Sequence, residues 1–208
     1  LYISNAVQQG DASLSPEKNS AFKIGSRYRQ TGFSVVLSGF YTHGKNMIDW
    51  VQTTETELND SKYHVMNIGK LDNMGFNVDA EIYMNELLPR CFVTNIRLGY
   101  AYINQNHETE TEILKSLYAL EYLRHKAVFG LDHKIWSKLS ASWSVRWQQR
   151  MNGYHPYTKV DCKVMWNDRK YSVYVKADNI TCHRYYDLSA VKQPGLWVMA
   201  GVSVNLGW

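Results

Sequence analysis

The 208-residue sequence has no apolar run of the roughly eighteen residues that a membrane helix needs, which excludes helical membrane spans. No basic segment followed by an apolar core opens the chain either. Cysteine is sparse. Cys91, Cys162 and Cys182 are far apart and form no Cys-x-x-Cys pair, which argues against a disulfide framework or a zinc knuckle. The 4 prolines include a single Pro-Gly pair, Pro194-Gly195, so no linker divides the chain. A large excess of one charge sign is missing too. With 23 Lys+Arg against 19 Asp+Glu the net charge is +4, too mild for an obligate nucleic-acid binder. Phenylalanine is scarce beside its amphipathic relatives: 6 Phe stand against 15 Tyr and 7 Trp. Tyr and Trp gather where one end of a ring is apolar and the other wet. At 45% hydrophobic residues, disorder is excluded.

What the sequence does contain is alternation with period two. Leu139, Ala141, Trp143, Val145 and Trp147 share one parity, against Ser140, Ser142, Ser144, Arg146 and Gln148. Val160, Cys162, Val164 and Trp166 repeat the pattern, then Tyr171, Val173, Val175 and Ala177, with Asn167-Asp168 as a tight turn between them. Leu196, Val198, Ala200, Val202, Val204, Leu206 and Trp208 close the chain on the apolar parity. Upstream, alternating runs start at Phe22, Phe33, Phe76 and Phe92, and another strand is expected between Leu123 and Trp136. Each pattern lasts about ten residues, enough for a tilted strand to cross a bilayer. Soluble strands average about half that.

Short and long connections take turns. Short links fall at Gln30-Thr31-Gly32, Leu87-Leu88-Pro89, Ser137 and Asn167-Asp168, and long ones near residues 43–63, 105–118, 150–157 and 181–195. That is the outer-membrane barrel pattern, with short periplasmic turns and long extracellular loops. Tyr28, Phe33, Phe92, Trp166, Tyr171 and Trp208 stand beside the short turns, and Tyr41, Tyr100, Tyr102 and Trp147 near the opposite ends, as two interfacial aromatic girdles. A soluble sandwich also alternates, but strand length, loop asymmetry and aromatics at strand ends favour the membrane. The fold class expected is all-β, an antiparallel up-and-down transmembrane β-barrel. One stretch departs from this: Ile113, Leu114, Leu117, Tyr118 and Glu121 have helical spacing, and Thr109 with Glu112 resembles a capping box, so a short loop helix is one alternative there and the structure of residues 107–122 is left open.

Enzyme chemistry finds little support. Gly39 to Lys45 fits Gly-x4-Gly-Lys, but Asn46 replaces the Ser or Thr that a phosphate loop needs, and a strand, not a helix, surrounds it. The histidines show no metal-ligand spacing; His125 and His133 share a parity but lie about 26 Å apart along a strand. His183 near Asp187 and His155 near Asn152 are the only loop pairs that a hydrolase could use, and loop histidines are more often ligand contacts or solvated residues. No catalytic residue, metal site or cofactor is therefore assigned. Asn179-Ile180-Thr181 is a glycosylation sequon in form only.

Leu14-Ser15-Pro16-Glu17 before the first long strand, Asp178-Asn179-Ile180-Thr181 at the end of the penultimate strand, then Tyr185-Tyr186-Asp187, Gln193-Pro194-Gly195-Leu196-Trp197 and a closing strand with a terminal aromatic resemble the C-terminal part of a TonB-dependent outer-membrane receptor. Cys182 stands where the family segment usually has Asn. The chain is most similar to cobalamin and siderophore receptors of Bacteroides-like bacteria. The resemblance implies that residues 1–208 form about nine C-terminal strands of a barrel of about 22 strands around a plug, with the plug and earlier strands outside this chain. An open sheet of nine would expose unpaired edges to lipid.

It also implies a multi-pass location in the bacterial outer membrane and active, not enzymatic, function: uptake of a scarce cobalamin or metal–siderophore complex. A passive porin or structural barrel is the alternative. Implied partners are the TonB–ExbB–ExbD complex acting through the plug, outer-membrane lipid and lipopolysaccharide, the barrel-assembly machinery, the rest of the same receptor and a surface-exposed substrate-binding lipoprotein; nucleic acid is not among them. Trp50, Tyr154, His155, His183, Tyr185 and Tyr186 are the candidate extracellular-loop contacts to substrate, since rings supply area and polar tips supply direction. Val202, Val204, Leu206 and Trp208 are the expected barrel-assembly signal. Lys23, Arg27, Asn77, Asp79, Glu81, Asn95, Arg97, Arg146, Gln148, Lys159, Asp161, Lys163, Lys176 and Asp178 occupy the opposite parity and would face a wet interior of mixed sign.

Overall fold

The computed structural model describes residues 4–59, 62–109, 111–117, 122–151, 155–186 and 192–205. Along the chain run β1 (Gln8–Gln9), β2 (Lys18–Gln30), β3 (Phe33–Lys45), β4 (Ile48–Thr53), α1 (Thr54–Asn59), β5 (Tyr63–Asn67), β6 (Lys70–Tyr83), α2 (Met84–Leu87), β7 (Val93–Glu108), β8 (Ile113–Ser116), β9 (Leu123–Trp136), β10 (Leu139–Arg150), β11 (Tyr157–Asn167), β12 (Tyr171–Asp178) and β13 (Trp197–Val204). Nine of them form one sheet in the order β13-β12-β11-β10-β9-β7-β6-β3-β2, and all its pairings are antiparallel. Strands that follow one another along the chain are therefore neighbours, as in an up-and-down meander. The sheet does not close: β2 and β13 are its two edges.

Register carries the alternation across the sheet. Phe22 lies opposite Tyr41, Leu37 opposite Val78, Leu98 opposite Phe129, Val145 opposite Val160 and Val175 opposite Ala200. One face is thus apolar over all nine strands, and it is bare: Phe22 and Ile24 are 66% exposed and Val202 67%. Leaving such a side chain in water forfeits about 1.5–3 kcal/mol of burial each. A face built this way belongs in an apolar medium.

The short links hold two-residue or slightly longer turns. Gly32 turns the chain at φ +86°, and a Cβ there would lie 2.3 Å from the Leu87 side chain. Residues 84–92 add the one-turn helix α2. The long links lie at the other end, and parts of two of them join the N-terminal segment in a second sheet, ordered β1-β5-β4-β8. Here the helical alternative for residues 113–116 is not the one adopted. Ile113–Ser116 is a strand paired to β4, a ladder that supplies partners to backbone groups which an isolated helical turn leaves open at its ends; Tyr118 and Glu121 lie outside the described residues.

Candidate functional site

The small sheet forms a packed cap at the long-loop end. Val51, Val65, Ile68 and Leu71 are buried there, and Asp49 is 2% exposed, its carboxylate accepting from the Ser116 hydroxyl and from the Trp50 N–H at 2.7 Å. The segment 14–17 is tied onto the cap: the Ser15 N–H donates to Asn67 Oδ1 at 2.8 Å, and Glu17 Oε1 accepts from the Ile48 N–H at 2.6 Å. Asn67 Nδ2 in turn donates to the Ser15 and Asn46 carbonyls at 2.9 and 2.7 Å. Trp50 sits half-buried on β4, across from Val65.

A second cluster stands where β11 and β12 reach the same end. Tyr157, 7% exposed, stacks on Tyr185 with ring centroids 4.4 Å apart and lies 6.2 Å from the His183 ring. Asn179 organises the backbone around them. It is 1% exposed in the left-handed region at φ +55°; Oδ1 accepts from the His183 N–H at 3.1 Å and the Thr181 hydroxyl at 3.3 Å, and Nδ2 donates to the His183 and Pro194 carbonyls at 2.9 and 3.3 Å. Its own N–H donates to Asp161 at 2.7 Å. Beside it a depression of about 210 Å³ is lined by Lys159, Asp178, Tyr185, Gly195 and Trp197 among others. Lys159 faces Asp161 at 3.3 Å and Lys176 faces Asp178 at 2.9 Å.

Of the residues singled out from the sequence, His183 and Tyr185 thus come together over Tyr157. Tyr186 is tethered alongside by a bridge to Lys192. His155 is exposed two residues before Tyr157, and Trp50 belongs to the separate cap. Tyr154, Leu206 and Trp208 lie outside the described residues; Val202 and Val204 are 67% and 61% exposed on the edge strand β13. Sequence reading missed Tyr157 as the platform of the stack; the only signal available was an aromatic at the start of a strand, next to a cluster of loop aromatics.

The polar face holds a wall of both signs. Glu81 accepts from Asn95 Nδ2 at 2.7 Å and from the Tyr83 hydroxyl at 2.8 Å, and Arg97 meets Asp132 at 3.0 Å. A concavity of about 580 Å³ lies over Asn77, Asp79, Glu81, Arg97 and Lys126. Lys23, Arg27, Asp79 and Arg146 have no ion-pair partner among the described residues. Three glycines of this face sit opposite large side chains. Phe40 lies over Gly75, Arg97 over Gly130 and Tyr174 over Gly201, each across one strand pair.

On the apolar face, rings collect near both strand ends. Tyr28 and Phe33 lie 5.6 Å apart at the short-turn end. Toward the cap, Phe76, Tyr100, Tyr102, His125 and Trp147 form a continuous belt across four strands, with Tyr102 5.0 Å and Trp147 6.1 Å from the His125 ring. The Tyr100 hydroxyl and His125 Nδ1 are 2.8 Å apart, and the Tyr41 hydroxyl donates to Asp72 at 2.9 Å. His133 accepts from the Trp143 indole at 3.1 Å. These histidines partner belt rings.

A consecutive antiparallel sheet with a bare apolar outer face, aromatic belts at both ends and a polar inner face defines the wall of a transmembrane β-barrel. The model of the family described as TonB-dependent receptor-like, β-barrel, matches residues 1–180, and the chain belongs to that outer-membrane family. Its fold is also similar to solved structures. The FrpB iron transporter from Neisseria meningitidis superposes with a TM-score of 0.68 at 15% identity, over 94% of this chain and 31% of that one. Copper transporter OprC gives 0.71 at 14% identity, over 94% and 33%. The siderophore receptor PirA from Pseudomonas aeruginosa gives 0.63 at 16%, over 95% and 31%. The chain therefore spans about a third of the length of these structures.

Proposed function

We propose that this chain supplies about nine C-terminal strands of a receptor for TonB-driven uptake of a scarce metal-chelate nutrient, cobalamin or a metal–siderophore complex. The plug and the other strands close the barrel against the β2 and β13 edges. The observation that carries this reading is the polar wall. It mixes both signs and leaves Lys23, Arg27, Asp79 and Arg146 facing inward without ion-pair partners among the described residues, as a wall that holds a folded plug by hydrogen bonds and charge would. An open selective pore more often carries one dominant sign. The structural relatives carry iron, copper and siderophore in their descriptions, which supports a metal-chelate cargo.

His183, Tyr185 and Tyr186 around the Tyr157 stack, with Trp50, Tyr154 and His155, are the proposed cargo contacts at the loop end. The TonB–ExbB–ExbD complex acts through the plug, the barrel-assembly machinery reads Val202, Val204, Leu206 and Trp208, and a surface lipoprotein of Bacteroides type caps the loops. The test is titration of the intact receptor with cobalamin and a panel of ferric siderophores, followed by uptake assays in cells with and without TonB. Submicromolar binding of one of them and TonB-dependent uptake are expected. Binding of none at that level sinks the cargo assignment, and uptake that persists without TonB favours the porin.

A further inference from the structure

The short-turn end of the sheet is basic. The short-turn segments, residues 29–32, 84–92, 134–138 and 167–170, hold six Lys and Arg but only two carboxylates. The described residues of the long links, 46–59, 62–69, 109, 111–117, 122, 151, 155–156, 179–186 and 192–196, hold four Lys and Arg against four carboxylates. The short-turn rim is thus net basic, while the described long-link residues balance. At the short-turn end both carboxylates are engaged between neighbouring turns. Glu86 Oε2 accepts from the Gly32 N–H at 2.8 Å. Asp168 accepts from Lys138 Nζ at 2.7 Å and from the Arg169 N–H at 2.6 Å, contacts that hold its carboxyl below the usual carboxylate range. Arg90, Lys134, Arg169 and Lys170 remain exposed and without an ion-pair partner among the described residues.

The same rim exposes apolar matter. Leu88 is 57% exposed, Phe92 67%, Ile135 52% and Trp136 77%. A soluble acidic partner would satisfy the cations but leave these side chains unexplained. A bilayer surface satisfies both, because apolar groups enter the acyl boundary while long basic side chains reach the headgroups.

We infer that the short-turn rim is a docking surface for anionic phospholipid headgroups of the leaflet it faces. This rests on the membrane placement proposed above. Each unpaired cation near an anionic surface strengthens binding by about fivefold at low salt, and screening sets in over a Debye length of about 10 Å at 0.1 M salt.

The test uses the intact receptor in nanodiscs of phosphatidylethanolamine with a minor fraction of phosphatidylglycerol, and native mass spectrometry to count the lipids retained. Enrichment of phosphatidylglycerol is expected, weakening as salt rises. The triple variant R90Q/R169Q/K170Q is expected to lose at least about tenfold of that preference, whereas E55Q/E112Q at the opposite end is expected to leave it unchanged. Insertion with no preference in the wild type, or equal preference in the triple variant, overturns the inference alone. Failure of the receptor to enter nanodiscs at all overturns the membrane placement beneath it.

Discussion

Asn179 shows how one residue can hold a loop end. Its side-chain amide makes four hydrogen bonds at 1% exposure, and its left-handed φ of +55° suits Asn better than most residues. Asn179→Ala leaves the His183 and Pro194 carbonyls and the His183 N–H short of partners, at a cost of about 2–3 kcal/mol. Hydrogen exchange in peptides covering 179–186 is expected to speed up by about thirtyfold or more; unchanged protection there would refute the role. Cys182 has the same left-handed backbone conformation, φ +53°, a region that Asn adopts more readily than Cys. Cys182→Asn is therefore expected to stabilise by about 0.5–1 kcal/mol, seen as a raised thermal midpoint of the receptor. The motif was visible in the sequence, but its work was not, since Asp161, His183 and Pro194 reach Asn179 only through the fold.

At the scale of strands, glycine seats set how closely neighbours pack. A Cβ on Gly75 would lie 2.4 Å from the Tyr102 carbonyl oxygen and 2.8 Å from the Phe40 ring, so Gly75→Val forces β6 away from β7 and is expected to cost about 1–3 kcal/mol. At Gly39 the nearest atom would be 3.7 Å away, and Gly39→Ala is expected to stay within about 0.5 kcal/mol. Urea unfolding of the two variants after refolding in detergent checks the contrast; equal midpoints would contradict the seat. The nine long strands were legible because period two repeats for about ten residues in each. The cap was not. Ile113–Ser116 is four residues long, too short to show any period, and Ile113, Leu114 and Leu117 then imitate a helical face. Ile48–Thr53 and Tyr63–Asn67 are equally short and lie in a link that reads as loop.

The whole molecule inverts the arrangement of a soluble β protein. Its large sheet presents Phe22, Ile24, Val198 and Val202 bare on one face, while the buried residues Val51, Val65, Ile68 and Leu71 belong to the loop-end cap and its border with the sheet. Adjacent residues near the middle of β10 test which side is which. Val145, opposite Phe129 and Val160, lies on the apolar face; Ser144, opposite Gly130 and Asp161, lies on the polar one. Val145→Arg puts a guanidinium into hydrocarbon and is expected to destabilise the lipid-embedded receptor by about 2–4 kcal/mol. Ser144→Arg places the same group one residue away, beside the Asp161 carboxylate and a wet interior, and is expected to change stability by less than about 1 kcal/mol. Both are measured by urea unfolding from liposomes with tryptophan fluorescence. A soluble sandwich, its apolar face packed inside, would also punish Val145→Arg, but it would do so equally in detergent-free buffer. Here the wild-type receptor is expected to aggregate without lipid or detergent and to regain a cooperative transition only with them, so a cooperative, lipid-independent transition would overturn the membrane assignment.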